Sequence, residues 1–146
     1  MVLHEPPYGP DDVDPSDNGE QVLERIREGQ NQEAVELFLL MTGMPKQEAL
    51  QVAAYPGLAD LAPTLPYDFA VMEHGLDQGG TPVGLLQRIK PETLVLAGTA
   101  TAPFMIDAAH RIVKVLPNAT FAELPDQHHA VPPEVLAPVL AEFLRR

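Results

Sequence analysis

With 146 residues, 45 % of them hydrophobic, the chain has the size of one domain and can bury a single core. A formal net charge of −12, from 21 acidic against 9 basic residues, repels phosphate backbones and argues against nucleic-acid binding, and the absence of Cys excludes disulfides, thiolate metal ligands and a Cys nucleophile. No apolar run approaches the ~20 residues of a membrane span and the acidic, Pro-rich amino terminus is no secretory signal, so a soluble cytoplasmic protein with no membrane partner is expected.

Val2 to Glu5 is short and apolar enough for a strand, stopped by Pro6-Pro7. Tyr8 to Gly19 is rich in Asp, Gly and Pro and reads as a loop. Ser16 or Asp17 then caps a helix in which Val22, Leu23 and Ile26 share a face, with Gly29 as its stop. Asn31 opens a second helix through Ala34, Val35, Leu37, Phe38 and Met41 to Gly43, with an apolar face wide enough to be covered on most sides. Met44-Pro45-Lys46 starts a third through Ala49, Leu50 and Ala53, with Pro in its first turn as preferred. Pro56, Pro63 and Pro66 cut the next stretch into short helical turns, with Pro66 to Met72 helical and ending near His74-Gly75. Gly79-Gly80-Thr81-Pro82 is a hinge-like connector, and Val83 to Ile89 makes one or two further turns.

The last third is the most regular. Glu92 to Gly98 reads as a buried strand, Ala102 to Val115 as an amphipathic helix, Ala119 to Leu124 as another strand, and Pro133 to Arg146 as a closing helix. The expected class is therefore α/β, with about three parallel strands joined by right-handed crossovers. It divides into a strand and acidic loop over 1–19, a helical block over 20–90 and a βαβα tail over 91–146, all in one domain. In open parallel sheets chemistry collects outside the carboxyl ends of the strands. The polar tip Pro125 to Val131, with His128 and His129, lies in such a loop.

This layout and its wording resemble the carboxyl-terminal half of an α/β-hydrolase. Leu3-His4-Glu5-Pro6-Pro7 resembles the end of that family's sixth strand, where an aromatic residue often precedes Glu-Pro-Pro. Residues 20–90 resemble its helical cap, Thr93 to Gly98 its seventh strand and Phe121 to Leu124 its eighth. Gln127-His128-His129 resembles the loop bearing the triad His, and Leu136 to Leu144 the final helix. In complete members the Gly-x-Ser-x-Gly elbow and the oxyanion loop precede the sixth strand. The resemblance thus implies a truncated fold without the nucleophile-bearing half. Ser16 is the only Ser, and it stands in an acidic turn with no glycine pattern for an elbow. A first strand left as an open edge implies completion by a homodimer through that strand or the cap.

His129 matches the family's triad His, and Asp11 or Asp12 can serve as its acid. Without an elbow serine, the hydrolytic route expected is a metal-bound water, held by His and carboxylates suited to Zn²⁺, Mn²⁺ or Fe²⁺. If the first strand pairs beside 93–97, and that beside 119–124, His4 and His129 emerge at one sheet edge. His74 ends a cap helix, and the family's cap lies over that edge. His4, His74 and His129 are thus the expected metal ligands, with His128 or Glu5 able to replace any of them. His110 reads as a helix-surface or packing residue near Ile106 and Val113 rather than a ligand. Asp11, Asp12, Asp14 and Asp17 lack the calcium-loop spacing. Gly98-Thr99-Ala100-Thr101 precedes a helix, as in anion sites, but has one Gly and no following Lys, so no nucleotide cofactor is expected. The function expected is hydrolysis of small hydrophobic activated esters or phosphoesters. The alternatives are a non-catalytic fragment, or a half-enzyme whose partner chain carries the Ser.

Overall fold

In the computed structural model, residues 1–8, 16–74 and 81–145 are described, with side chains at 16–18 and 72–74 left aside. The chain forms two compact units, residues 1–11 with 80–146 and residues 12–79.

The first unit is built on three parallel strands, β1 (Val2–His4), β2 (Thr93–Gly98) and β3 (Ala119–Leu124), in the order β1-β2-β3. β2 is buried at every residue, which is why it reads as an unbroken apolar run rather than an alternating one. The register sets His4 beside Leu96 and Gly98 beside Leu124, so the three strands end at one edge.

Alternate residues face opposite sides of the sheet. Leu3, Val95, Ala97, Ala119 and Phe121 pack with Ala109, Ile112 and Leu116 around α6 (Pro103–Val115). Val2, Leu94, Leu96, Ala122 and Leu124 pack with Leu136, Val139, Leu140 and Phe143 of α7 (Pro133–Leu144). Each fully buried Leu or Ile here contributes about 1.5–3 kcal/mol through the area it removes from water. The short helix α5 (Val83–Leu86) also belongs to this unit, because Leu86 is buried against the Val95 and Ile112 cluster. Its position in sequence groups it with the helical block over 20–90; its packing places it on the sheet instead.

The second unit is helical. α1 (Ser16–Arg27) ends in a Schellman turn in which Gly29, at φ +75°, donates to Ile26 O and Gln30 donates to Arg25 O. α2 (Asn31–Met41) ends the same way at Gly43, φ +86°, with Gly43 donating to Leu40 O and Met44 to Leu39 O. α3 (Lys46–Ala53) follows Pro45, a 3₁₀ helix covers Ala59–Thr64, and α4 runs over Leu65–His74. Val22, Ala34, Val35, Ala53 and Ala62 are the buried centre, ringed by Ile26, Phe38 and Phe69. On α2 only Ala34 and Val35 are buried, so its apolar face is covered less completely than expected. No helix among the described residues is long and apolar enough to cross a membrane.

Candidate active site

Glu5 is the residue on which the site is built. β1 carries it to the carboxyl edge of the sheet, where its N–H still bonds Leu96 O at 3.0 Å. Its backbone then turns to φ +41°, a left-handed conformation that costs a non-glycine residue about 1–3 kcal/mol and that clusters at active sites. The carboxylate is buried, with the whole residue 1 % exposed. A carboxylate this deep persists only with donors around it, and three are supplied. The Gly98 N–H reaches Oε1 at 2.7 Å, the Thr101 hydroxyl reaches Oε2 at 3.0 Å, and His129 Nδ1 lies 2.7 Å from Oε2. The turn whose sequence suggested an anion site thus holds the chain's own carboxylate.

The same turn fixes the loop bearing His129. Thr99 N–H bonds Leu124 O at 3.0 Å, Asp126 N–H bonds the Thr99 hydroxyl at 2.8 Å, and Ala100 N–H bonds Gln127 O at 3.0 Å. Asp126 takes φ +57° to make the bend. Only glycine fits at position 98: a Cβ there would overlap the Gln127 carbonyl oxygen and stand 2.7 Å from its carbon. Three segments far apart in sequence therefore meet at one point.

An ionised carboxylate only accepts hydrogen bonds, so His129 Nδ1 donates to Glu5 and Nε2 is the ring nitrogen able to take a proton. The His129 side chain is 64 % exposed. The His4 ring stacks on it, with centroids 5.6 Å apart and planes 10° from parallel. His4 Nε2 is 3.8 Å from Glu5 Oε1, too far for a hydrogen bond, and is buried without a partner among the described residues. Burial lowers the His4 pKa from its ordinary 6.5; the Glu5 charge opposes this and His129 adds to it.

The strand order does bring His4 and His129 together, as the sequence implied. His74 closes α4, but its side chain lies outside the described residues, as do Asp11 and Asp12. The carboxylate that faces His129 is Glu5, which sequence reasoning weighs only as a substitute metal ligand. Its signal is an acidic residue between a strand and Pro6-Pro7, at the edge where a site belongs. Among the described residues no group of three His, Asp or Glu is arranged to hold a metal ion. His128 is exposed beside His129, and His110 rests against Phe121 with ring centroids 4.5 Å apart.

No protein-family model matches the sequence, and no curated protein does. Among solved structures, an α/β-hydrolase from Sphaerobacter thermophilus DSM 20745 matches 98 % of this chain at 33 % identity with a TM-score of 0.83, covering 57 % of that hydrolase. A thermophilic esterase from Thermogutta terrifontis, solved with malate bound, matches 99 % of this chain at 20 % identity and a TM-score of 0.56, covering 54 % of the esterase. The chain has the fold of the carboxyl-terminal half of an α/β-hydrolase, and it spans little more than half the length of either structure.

Proposed function

We propose that this chain supplies the acid and the base of a hydrolase that cleaves small hydrophobic esters. The observation that carries this is the buried Glu5 carboxylate, 2.7 Å from Nδ1 of an exposed histidine at the sheet's carboxyl edge. In this reading His129 Nε2 removes the proton from a serine hydroxyl as that oxygen attacks the ester carbonyl. Glu5 stabilises the imidazolium, and His129 then returns the proton to the departing alkoxide. Water repeats the sequence on the acyl intermediate. The serine and the oxyanion donors come from the nucleophile-bearing half of the fold, since this sequence holds no Gly-x-Ser-x-Gly. That half is also a fitting neighbour for β1, whose Val2 and His4 backbone groups turn away from β2. A second copy of the chain is the other candidate for this edge, and light scattering separates the two.

The test is 4-nitrophenyl acetate hydrolysis by a fusion of this chain to the part of the Sphaerobacter hydrolase that it does not cover. Turnover that falls by about 10²–10⁴-fold with His129→Ala and with Glu5→Gln, and that survives a chelator, supports the acid–base reading. Turnover abolished by the chelator points back to metal-bound water, with His4, His74 and His129 as the ligands to test and Zn²⁺ or Mn²⁺ as the metal. Turnover indifferent to both substitutions leaves the chain a non-catalytic scaffold.

A further inference from the structure

We propose that His4 is a positioning residue for His129: its imidazole lies flat against the His129 ring and holds it in the plane in which Nδ1 reaches Glu5 and Nε2 serves the nucleophile. The inference rests on reading His129 as the general base.

A single hydrogen bond fixes one atom of a ring and leaves the ring free to pivot about it. His129 stands at a loop tip with 64 % of its side chain exposed, so Glu5 alone defines its position but not its plane. The stack with His4 supplies the second constraint. Its 5.6 Å separation and 10° angle fall within the range of offset-stacked rings. His4 suits this task because it is itself fixed: it lies on β1 in register with Leu96, and its side chain is 23 % exposed.

The chemistry of His4 fits the same role. Its Nε2 is shut away from water with no partner among the described residues, an arrangement that costs stability and that packing alone does not demand. The two titratable groups that face it are Glu5 and His129, and burial favours the neutral ring. A neutral His4 leaves the Glu5 charge to His129, whereas a protonated one, 3.8 Å from Oε1, would compete for it. The stacked ring thus constrains the base without drawing on its acid.

Two measurements test the proposal. In the isolated chain, the His129 ring-proton resonances report the stack directly, because a parallel ring shifts its neighbour's protons. They are expected to move in His4→Ala and to recover in His4→Phe, which restores a flat ring without a nitrogen. In the fusion, His4→Ala is expected to lower kcat by about 10–100-fold with KM within about twofold, the cost of a base displaced by a fraction of an ångström to one ångström. His4→Phe is expected to stay within about twofold of the parent. His4→Gln, which has polar bulk but no ring, takes the place of His4→Ala if that variant does not fold. Ring-proton resonances unchanged in the ringless variant, or a Phe variant as impaired as the ringless one, would overturn the proposal. Hydrolysis indifferent to His129→Ala instead sinks the general-base reading, while the resonances still decide the stack.

Discussion

Glu5 and His129 are 124 positions apart in sequence, yet Oε2 of one lies 2.7 Å from Nδ1 of the other. The bond does more than close a loop, since Glu5 also receives Gly98 N–H and the Thr101 hydroxyl. Glu5→Gln keeps the shape but replaces one carboxylate oxygen with an amide NH₂, set either against Gly98 N–H at the Oε1 position or against the Thr101 hydroxyl and His129 Nδ1 at the Oε2 position. The expected loss is about 1–3 kcal/mol of folding stability, read from urea unfolding, because at least one buried donor loses its acceptor. Stability equal to the parent would mean that the three bonds are not formed in solution.

Gly98 governs whether the histidine loop can dock. A methyl group there would collide with the Gln127 carbonyl, which is backbone and cannot swing aside. Gly98→Ala is expected to destabilise the chain by about 1–3 kcal/mol, as overpacking does, and to shift the His129 ring resonances. Thermal unfolding alongside the proton spectrum checks both effects. Gly84→Ala is the control, since a Cβ at Gly84 meets nothing within 4 Å.

Arg111 on α6 joins the two places where the chain leaves and re-enters the sheet-bearing unit. Its Nε donates to the Thr81 hydroxyl at 3.0 Å and its Nη2 to Tyr8 O at 3.2 Å. Arg111→Ala is expected to cost about 1–3 kcal/mol, with Arg111→Lys recovering only part of it because an ammonium lacks the planar fork. Denaturant midpoints of the three proteins give the comparison.

His4 makes stability depend on pH in a defined direction. Its pKa is lowered by burial, against the Glu5 charge and with a smaller contribution from His129. Above 6.5 the ring is neutral both folded and unfolded and contributes no difference. Below 6.5 the unfolded chain binds a proton that the folded chain resists, so stability falls with acidification until the folded pKa is passed. The His4 contribution is read as the difference between the parent and His4→Phe. Urea unfolding at about pH 7.5 and about pH 5.5 should show the parent losing more on acidification than His4→Phe. An equal or smaller loss contradicts the burial of its nitrogen.

The tail of the fold is legible because its signals are local. Thr93 to Gly98 is a continuous buried run, and Gly29 and Gly43 stop helices through the left-handed turns that glycine favours. The pairing of the first strand beside 93–97, and of that beside 119–124, is only a condition in the sequence; the structure has that order, and it brings His4 and His129 together. The role of Glu5 is not local. It depends on a left-handed backbone at a non-glycine residue and on donors 93, 96 and 124 positions away, none of which leaves a periodic mark. An acidic residue ahead of Pro6-Pro7 reads as a strand end, and the visible cluster of Asp in the following loop draws attention from it. Leu86 shows the same limit: nothing near it in sequence says that it packs against Val95 and Ile112.

The central claim is that Glu5 holds His129 by Nδ1 and so reserves Nε2 for chemistry. Long-range ¹H–¹⁵N correlation of the His129 ring, at a pH where it is neutral, reads this directly. The expected spectrum shows the Nδ1–H tautomer in the parent chain, with that preference weakened or lost in Glu5→Gln. A parent spectrum dominated by the Nε2–H tautomer, or one unchanged by Glu5→Gln, would contradict the account.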